Sequence, residues 1–135
     1  MLKIEHIGIA VKNMKESNAL FSALLGVSSY KTEEVASEQV VTSFFQTGEQ
    51  KIELLEATSP DSPIFKFIEK KGEGIHHIAF AVVDIRTEIQ RLKKLGFQIL
   101  NEETKRGADN KLVCFLHPQS TNGVLIELCQ EMDQA

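Results

Sequence analysis

Cysteine is scarce, positive charge is in deficit, and no apolar run is long. The 135 residues hold two cysteines, Cys114 and Cys129, each inside an apolar strand-like run. A pair in that setting reads as buried free thiols of a reduced compartment rather than a disulfide framework or a catalytic thiol. Lys and Arg number 15 against 19 Asp and Glu, for a net charge of -4. That balance excludes a general nucleic-acid binder, which needs a basic face. No stretch approaches the ~20 apolar residues of a membrane span. A strand pattern begins at Leu2, which leaves no room for a signal peptide, so a cytoplasmic location is expected. The remainder is ordinary: 42% hydrophobic and 25% charged residues suit a globular protein of one domain or two very small ones.

What the chain does have is a pattern written twice. His6-Ile7-Gly8-Ile9-Ala10-Val11 returns 71 residues later as His77-Ile78-Ala79-Phe80-Ala81-Val82, with four of six positions identical. Lys51-Ile52-Glu53-Leu54-Leu55 returns as Leu125-Ile126-Glu127-Leu128-Cys129. Each half therefore opens on a strand with a histidine and closes on a strand with a glutamate.

Between these landmarks the two halves follow one plan. After the first strand (Leu2 to Val11), Asn13 is a helix N-cap with Glu16 three residues on. Leu20, Phe21, Leu24 and Leu25 form an apolar stripe at helical spacing, and Gly26 ends the helix. Val27 to Val35, Gln39 to Gln46 and Lys51 to Glu56 read as strands, the last two joined by a turn at Thr47-Gly48-Glu49. Ser62 and Pro63 start a short linker helix with an apolar face of Ile64, Phe67 and Ile68, stopped by Gly72 and Gly74. The second half repeats: a strand from Ile75 to Val83, and a helix capped by Asp84 with Ile85, Ile89, Leu92 and Leu95 inward. Gly96 ends that helix, and strands follow at Phe97 to Leu100, Lys111 to Leu116 and Val124 to Gln130. Gly107 to Asn110 and Pro118 to Gly123 are loops, and the tail beyond Gln130 reads as frayed. A half of this size buries little apolar surface alone. Two are expected to pair into a curved sheet with helices outside and a cleft inside.

The repeated polar residues are the candidates for chemistry. A histidine inside a strand is ordinarily a satisfied structural residue, but packing alone is a poor reason to keep one at two equivalent positions. His6 shares its strand face with Gly8 and Ala10, and these small neighbours leave room beside the imidazole. A glutamate in an apolar strand is costly to bury unless it is paired or metal-bound; an alternating sheet with that position in solvent explains one such residue better than two. His6, Glu53, His77 and Glu127 would together offer two imidazoles and two carboxylates, a reasonable divalent-metal ligand set. His76 points away from His77 and reads as a rim or packing residue, and His117 as a loop residue. Glu33-Glu34 and Glu102-Glu103 read as exposed strand edges, Glu69-Lys70-Lys71 as a solvated helix end. Lys105 and Arg106 read either as anion contacts or as a plain basic loop.

These residues resemble the vicinal oxygen chelate superfamily and, within it, the methylmalonyl-CoA epimerase family. Besides the paired motifs above, the resemblance rests on Ser59-Pro60-Asp61-Ser62-Pro63-Ile64 and Gly72-Glu73-Gly74-Ile75-His76-His77-Ile78-Ala79-Phe80. It continues through Phe115-Leu116-His117-Pro118 and Gly123-Val124-Leu125-Ile126-Glu127-Leu128, and so covers nearly the whole chain. It implies an α+β fold: one domain over 1–135, made of paired βαβββ modules (about 1–57 and 74–131) that form a curved mixed sheet with a metal-binding cleft. It implies a divalent metal held by His6, Glu53, His77 and Glu127, cobalt or manganese foremost, with nickel or zinc as alternatives. It further implies interconversion of methylmalonyl-CoA epimers and a homodimer acting on an acyl-CoA; composition adds no nucleic-acid or membrane partner. Epimerisation removes and returns one proton at carbon and needs proton access to both faces. Because Glu53 and Glu127 come from opposite halves, Glu127, with Glu53 beside it, is read as the catalytic acid/base as well as a ligand. One departure stands out: Thr42 lies where some members of that family carry a catalytic glutamate.

Two other readings use the same residues. A glyoxalase I-like isomerase would keep all four ligands and act on a thiol adduct. A non-catalytic small-molecule-binding module of the same fold would need no metal. An extradiol dioxygenase, with two histidines and one carboxylate on iron, fits less well because of the second glutamate.

Overall fold

The computed structural model describes residues 1–101 and 103–132. Glu102, for which the sequence suggests an exposed edge, and the tail from Asp133 onward, for which it suggests fraying, lie outside the described residues. The chain divides into two compact units, one made of His6–His76, the other of Met1–Glu5 with the chain from His77 onward. Each holds its own four-stranded order and its own helix packing.

In the His6–His76 unit the strand order is β2-β3-β4-β1, with β1 at Lys3–Ala10, β2 at Lys31–Val35, β3 at Val40–Thr47 and β4 at Gln50–Ala57. β1 runs parallel to β4, and β3 pairs antiparallel with both β4 and β2. Helix α1 (Met14–Leu25) begins at Asn13, whose side chain accepts from the Glu16 N–H, and ends at Gly26, where φ of 72° favours a residue without a Cβ. Met14, Phe21 and Leu25 pack on Val11, Phe45 and Leu54, with the Phe21 and Phe45 rings 6.5 Å apart. The expected stripe is corrected here: Leu20 and Leu24 are 63% and 70% exposed. Apolar residues occupy two neighbouring rows of this helix, and only the row through Met14, Phe21 and Leu25 meets the sheet. The expected strand from Val27 is also shorter than predicted, beginning at Lys31.

The linker helix α2 (Pro63–Lys71), capped by Ser62 onto the Ile64 N–H, packs on the opposite side of the sheet from α1. Ile64, Phe67 and Ile68 meet Ala10, Val40 and Leu55. His76 is held edge-on by Phe67, ring centroids 4.9 Å apart, which bears out its reading as a packing residue. Burial, and then the nearby Lys71 ammonium, push this imidazole down to about 4, so it is neutral at pH 7.

In the second unit the order is β5-β8-β7-β6, with β5 at Gly74–Ala81, β6 at Lys105–Gly107, β7 at Lys111–Leu116 and β8 at Ile126–Glu131. The Leu2 N–H donates to the Ala81 carbonyl, 2.8 Å, which ties the chain's first residues to this unit. Helix α3 (Ile85–Lys94) starts at Asp84, whose carboxylate accepts from the Arg86 and Thr87 N–H groups. Ile85, Ile89 and Leu92 pack with Val82, Cys114, Leu116 and Leu128 into the largest apolar cluster of this unit. Leu95, expected in the core, is 65% exposed, because the helix ends at Lys94 and its apolar row stops at Leu92.

The expected strand at Phe97–Leu100 is not one. It makes two hydrogen bonds to the end of β7, Leu100 N–H to Phe115 O and His117 N–H to Gln98 O, both 2.8 Å, and a single bridge at Ile99. The rest of that edge is taken by β6, which was expected to be a loop. Gly107, the last residue of β6, faces Val113 so closely that a Cβ would sit 3.1 Å from a valine methyl.

The His76 imidazole gives a pH-dependent contribution to stability with a definite sign. Its folded pKa of about 4 lies below the ordinary 6.5, so the unfolded chain takes up the proton first as pH falls. Stability is therefore expected to fall between about pH 6.5 and 4. Urea midpoints at pH 7 and pH 5 for the wild type and His76→Leu should show a smaller drop in the variant; equal drops would remove His76 as the cause.

Candidate metal and active site

Strand register decides which side chains share a face. In the His6–His76 unit, Gly8, Glu53, Phe44 and Lys31 form one row across the four strands. His6, Lys51 and Gln46 form the row before it, and Ala10, Leu55, Thr42 and Glu33 the row after it. All lie on the face opposite α1. On that face His6 Nδ1 is 3.1 Å from Glu53 Oε2, and the two residues are each 5% exposed. Gly8 and Ala10 are buried beside the imidazole, as the small-residue pattern predicts.

The second unit repeats the arrangement. Ala79, Glu127 and Phe115 form a row across β5, β8 and β7, on the face opposite α3. His77 lies on the same face two residues before Ala79, with Nε2 3.4 Å from Glu127 Oε1. His77 and Glu127 are each 6% exposed. The Phe115 ring stands edge-on to His77, centroids 6.0 Å apart.

Each unit thus carries one buried imidazole against one buried carboxylate at the equivalent place. A carboxylate removed from water is costly unless it gains a charge-assisted partner, and in both units the histidine is such a partner. Within each unit the strands bring together the two residues that the spacing paired.

The structure adds an aromatic to the repeat. Phe44 stands beside Glu53 and Phe115 beside Glu127 in register, and Phe44 is fully buried. The spacing hid this, because Phe44 precedes Glu53 by nine residues and Phe115 precedes Glu127 by twelve. The first turn is tight while the second carries the Pro118–Thr121 helical turn. The reading of Glu33 is corrected: it is not a plain exposed edge but half-buried, on the His6 and Glu53 face, whereas Glu34 is exposed. Lys105 and Arg106 belong to β6 rather than to a free loop. Lys111, which the spacing did not single out, is buried with its ammonium 3.9 Å from Asp109. His117 caps the turn at Pro118, its Nδ1 accepting from the Gln119 N–H at 3.0 Å, a structural role.

Both cysteines are buried and neither is in a disulfide. Burial, and then the Glu127 carboxylate, push the Cys114 thiol up to about 11. Among the described residues, no helix is long and apolar enough to cross a membrane.

Comparison with known proteins places this geometry among relatives. Residues 5–115 match the model of the glyoxalase/bleomycin resistance protein/dioxygenase superfamily. An uncharacterized Bacillus subtilis protein, YqjC, is 39% identical over 96% of this chain and 93% of its own length. The human mitochondrial methylmalonyl-CoA epimerase is 37% identical over 95% of this chain and 73% of its own. Among solved structures, a hypothetical protein of Bacillus halodurans superposes with TM-score 0.94 at 46% identity, covering 98% of this chain and 96% of that one. A methylmalonyl-CoA epimerase in complex with methylmalonyl-CoA and an ammonium ion superposes with TM-score 0.90 at 31% identity, over 97% of this chain and 95% of that one.

With the Cys114 thiol protonated and buried, and Cys129 buried as well, iodoacetamide at pH 8 should leave both residues unmodified in the folded protein and label both in denaturant. Mass spectrometry reads the outcome; rapid labelling of the folded chain would contradict the packing of these strands.

Proposed function

The chain belongs to the glyoxalase/bleomycin resistance protein/dioxygenase superfamily, and on that premise we propose that it is a metal-dependent epimerase interconverting the (2R) and (2S) forms of methylmalonyl-CoA. The observation that carries this reading is the pair of buried imidazole–carboxylate contacts, at 3.1 Å and 3.4 Å, at equivalent places in the two units. Relatives that are epimerases by name support the substrate class.

The donor set suits a divalent cation. His6, Glu53, His77 and Glu127 supply nitrogen and oxygen donors, are buried among apolar strands, and carry two negative charges that a dication would neutralise. Cobalt or manganese fits such mixed donors, with nickel or zinc as alternatives. When bound, the cation supplies a Lewis acid for the negative charge that grows on the substrate's thioester oxygen.

The chain's own groups then handle the proton. The hydrogen to be moved sits on the carbon between a thioester and a carboxylate. Glu127 is assigned the removal of that proton, with Glu53 as an additional candidate; both are ligands in the same proposal. Phe44 and Phe115, standing beside the two glutamates, keep water from the carboxylates and so keep the proton between protein and substrate. The imidazoles hold each carboxylate in one orientation.

Homodimer formation belongs to the same proposal, and sedimentation should give twice the chain mass. In deuterated water, proton NMR of methylmalonyl-CoA should show the α-proton signal disappearing with metal-loaded protein and persisting after chelation. The variant Glu127→Gln should keep part of its metal and lose α-proton exchange by ~10²–10⁴-fold, the usual contribution of a general base. Full activity in that variant would remove Glu127 from the role. Bound metal without exchange would favour a glyoxalase-like substrate, a thiol adduct of methylglyoxal. Absence of bound metal would favour a non-catalytic small-molecule-binding module.

A further inference from the structure

Inversion at carbon needs a proton to leave one face and another to arrive at the opposite face. One carboxylate serves one face; a second proton carrier is required for the other. Thr42 occupies the inner face of β3 and is 1% exposed, but its hydroxyl does not ionise in this pH range and cannot carry the proton.

We propose that Glu33, on the neighbouring strand β2, is that second carrier; the proposal rests on the epimerase reading. Three observations within the His6–His76 unit point to it. Glu33 is paired in register with Thr42, which is paired with Leu55, so its side chain leaves the sheet on the face that carries His6 and Glu53. Neighbouring strands are ~4.8 Å apart, so Glu33 stands one strand from Thr42 and two from Glu53 on that face. Lys31 sets the direction of its carboxylate. Its ammonium lies 3.5 Å from Glu33 Oε1 and 4.7 Å from the centroid of Phe44, the residue beside Glu53. The Glu33 carboxylate is thereby drawn toward the Glu53 row, while 36% side-chain exposure leaves it open to exchange protons with solvent between turnovers.

The step balances. One carboxylate takes the α-proton, the electrons of the broken C–H bond form the carbon–carbon double bond, and the carbonyl pair moves onto the thioester oxygen. The other group, protonated at the start, delivers its proton to the opposite face of the same carbon as the electrons return. In one direction Glu33 donates; in the reverse direction it accepts. Solvent exchange then resets both groups.

The test uses the metal-loaded protein and each pure epimer in deuterated water, with inversion and α-proton loss followed separately. Glu33→Gln is expected to lower inversion by ~10²–10⁴-fold while one epimer still exchanges its α-proton for deuterium. Metal content and acyl-CoA affinity are expected to stay at wild-type levels. The double variant Glu33→Gln with Thr42→Glu, which moves the carboxylate one strand inward, is expected to recover inversion; Glu33→Asp should recover it in part if the buried Thr42 site rejects glutamate. Inversion at the wild-type rate in Glu33→Gln overturns the proposal, as does loss of exchange from both epimers or a fall accompanied by lost metal. A wild-type protein that holds metal and exchanges neither epimer fails the epimerase reading itself, and Glu33 falls with it.

Discussion

Burying a carboxylate in an apolar strand costs several kcal/mol unless a partner replaces the lost water, and each half of this chain accepts that cost once. Glu53 and Glu127 sit among isoleucines and leucines, each almost fully buried and each against an imidazole of the first strand of its unit. The surrounding structure follows from keeping those contacts dry. The parallel pairing of β1 with β4, and of β5 with β8, sets histidine and glutamate on the same face. The antiparallel third strand lays a phenylalanine beside each carboxylate.

The other face of each sheet secures the fold. Val11, Phe45 and Leu54 receive α1, and Val82, Cys114, Leu116 and Leu128 receive α3. Because strand side chains alternate, one stretch of five or six residues can serve both ends. Ile52 and Leu54 belong to the apolar cluster under α1 while Glu53 between them faces the site. The division lets the polar face vary with little effect on the packing that keeps it in place, provided the alternation is kept.

Sequence and structure diverge where local pattern and available neighbours disagree. Phe97 to Leu100 has strand-like composition, and Phe97 and Ile99 do pack against the core, yet the edge of β7 is shared with Lys105–Gly107, whose polar composition carries no strand signal. Leu20 and Leu24 have the right helical spacing for burial, but the adjacent row through Phe21 and Leu25 meets the sheet first. Glu33 and Glu34 look alike in sequence; register alone turns one inward and the other to water.

The sequence by itself determined the repeat, the helix caps at Asn13, Ser62 and Asp84, and the identity of the four polar residues. Those signals are short-range: a cap acts over one turn, and alternation acts between adjacent residues. Tertiary structure alone decided that Phe44 and Phe115 stand beside the glutamates, that Glu33 shares their face, and which apolar row of each helix is buried. Each of these depends on strand register or helix docking, which join residues nine or more positions apart through contacts that no local pattern encodes.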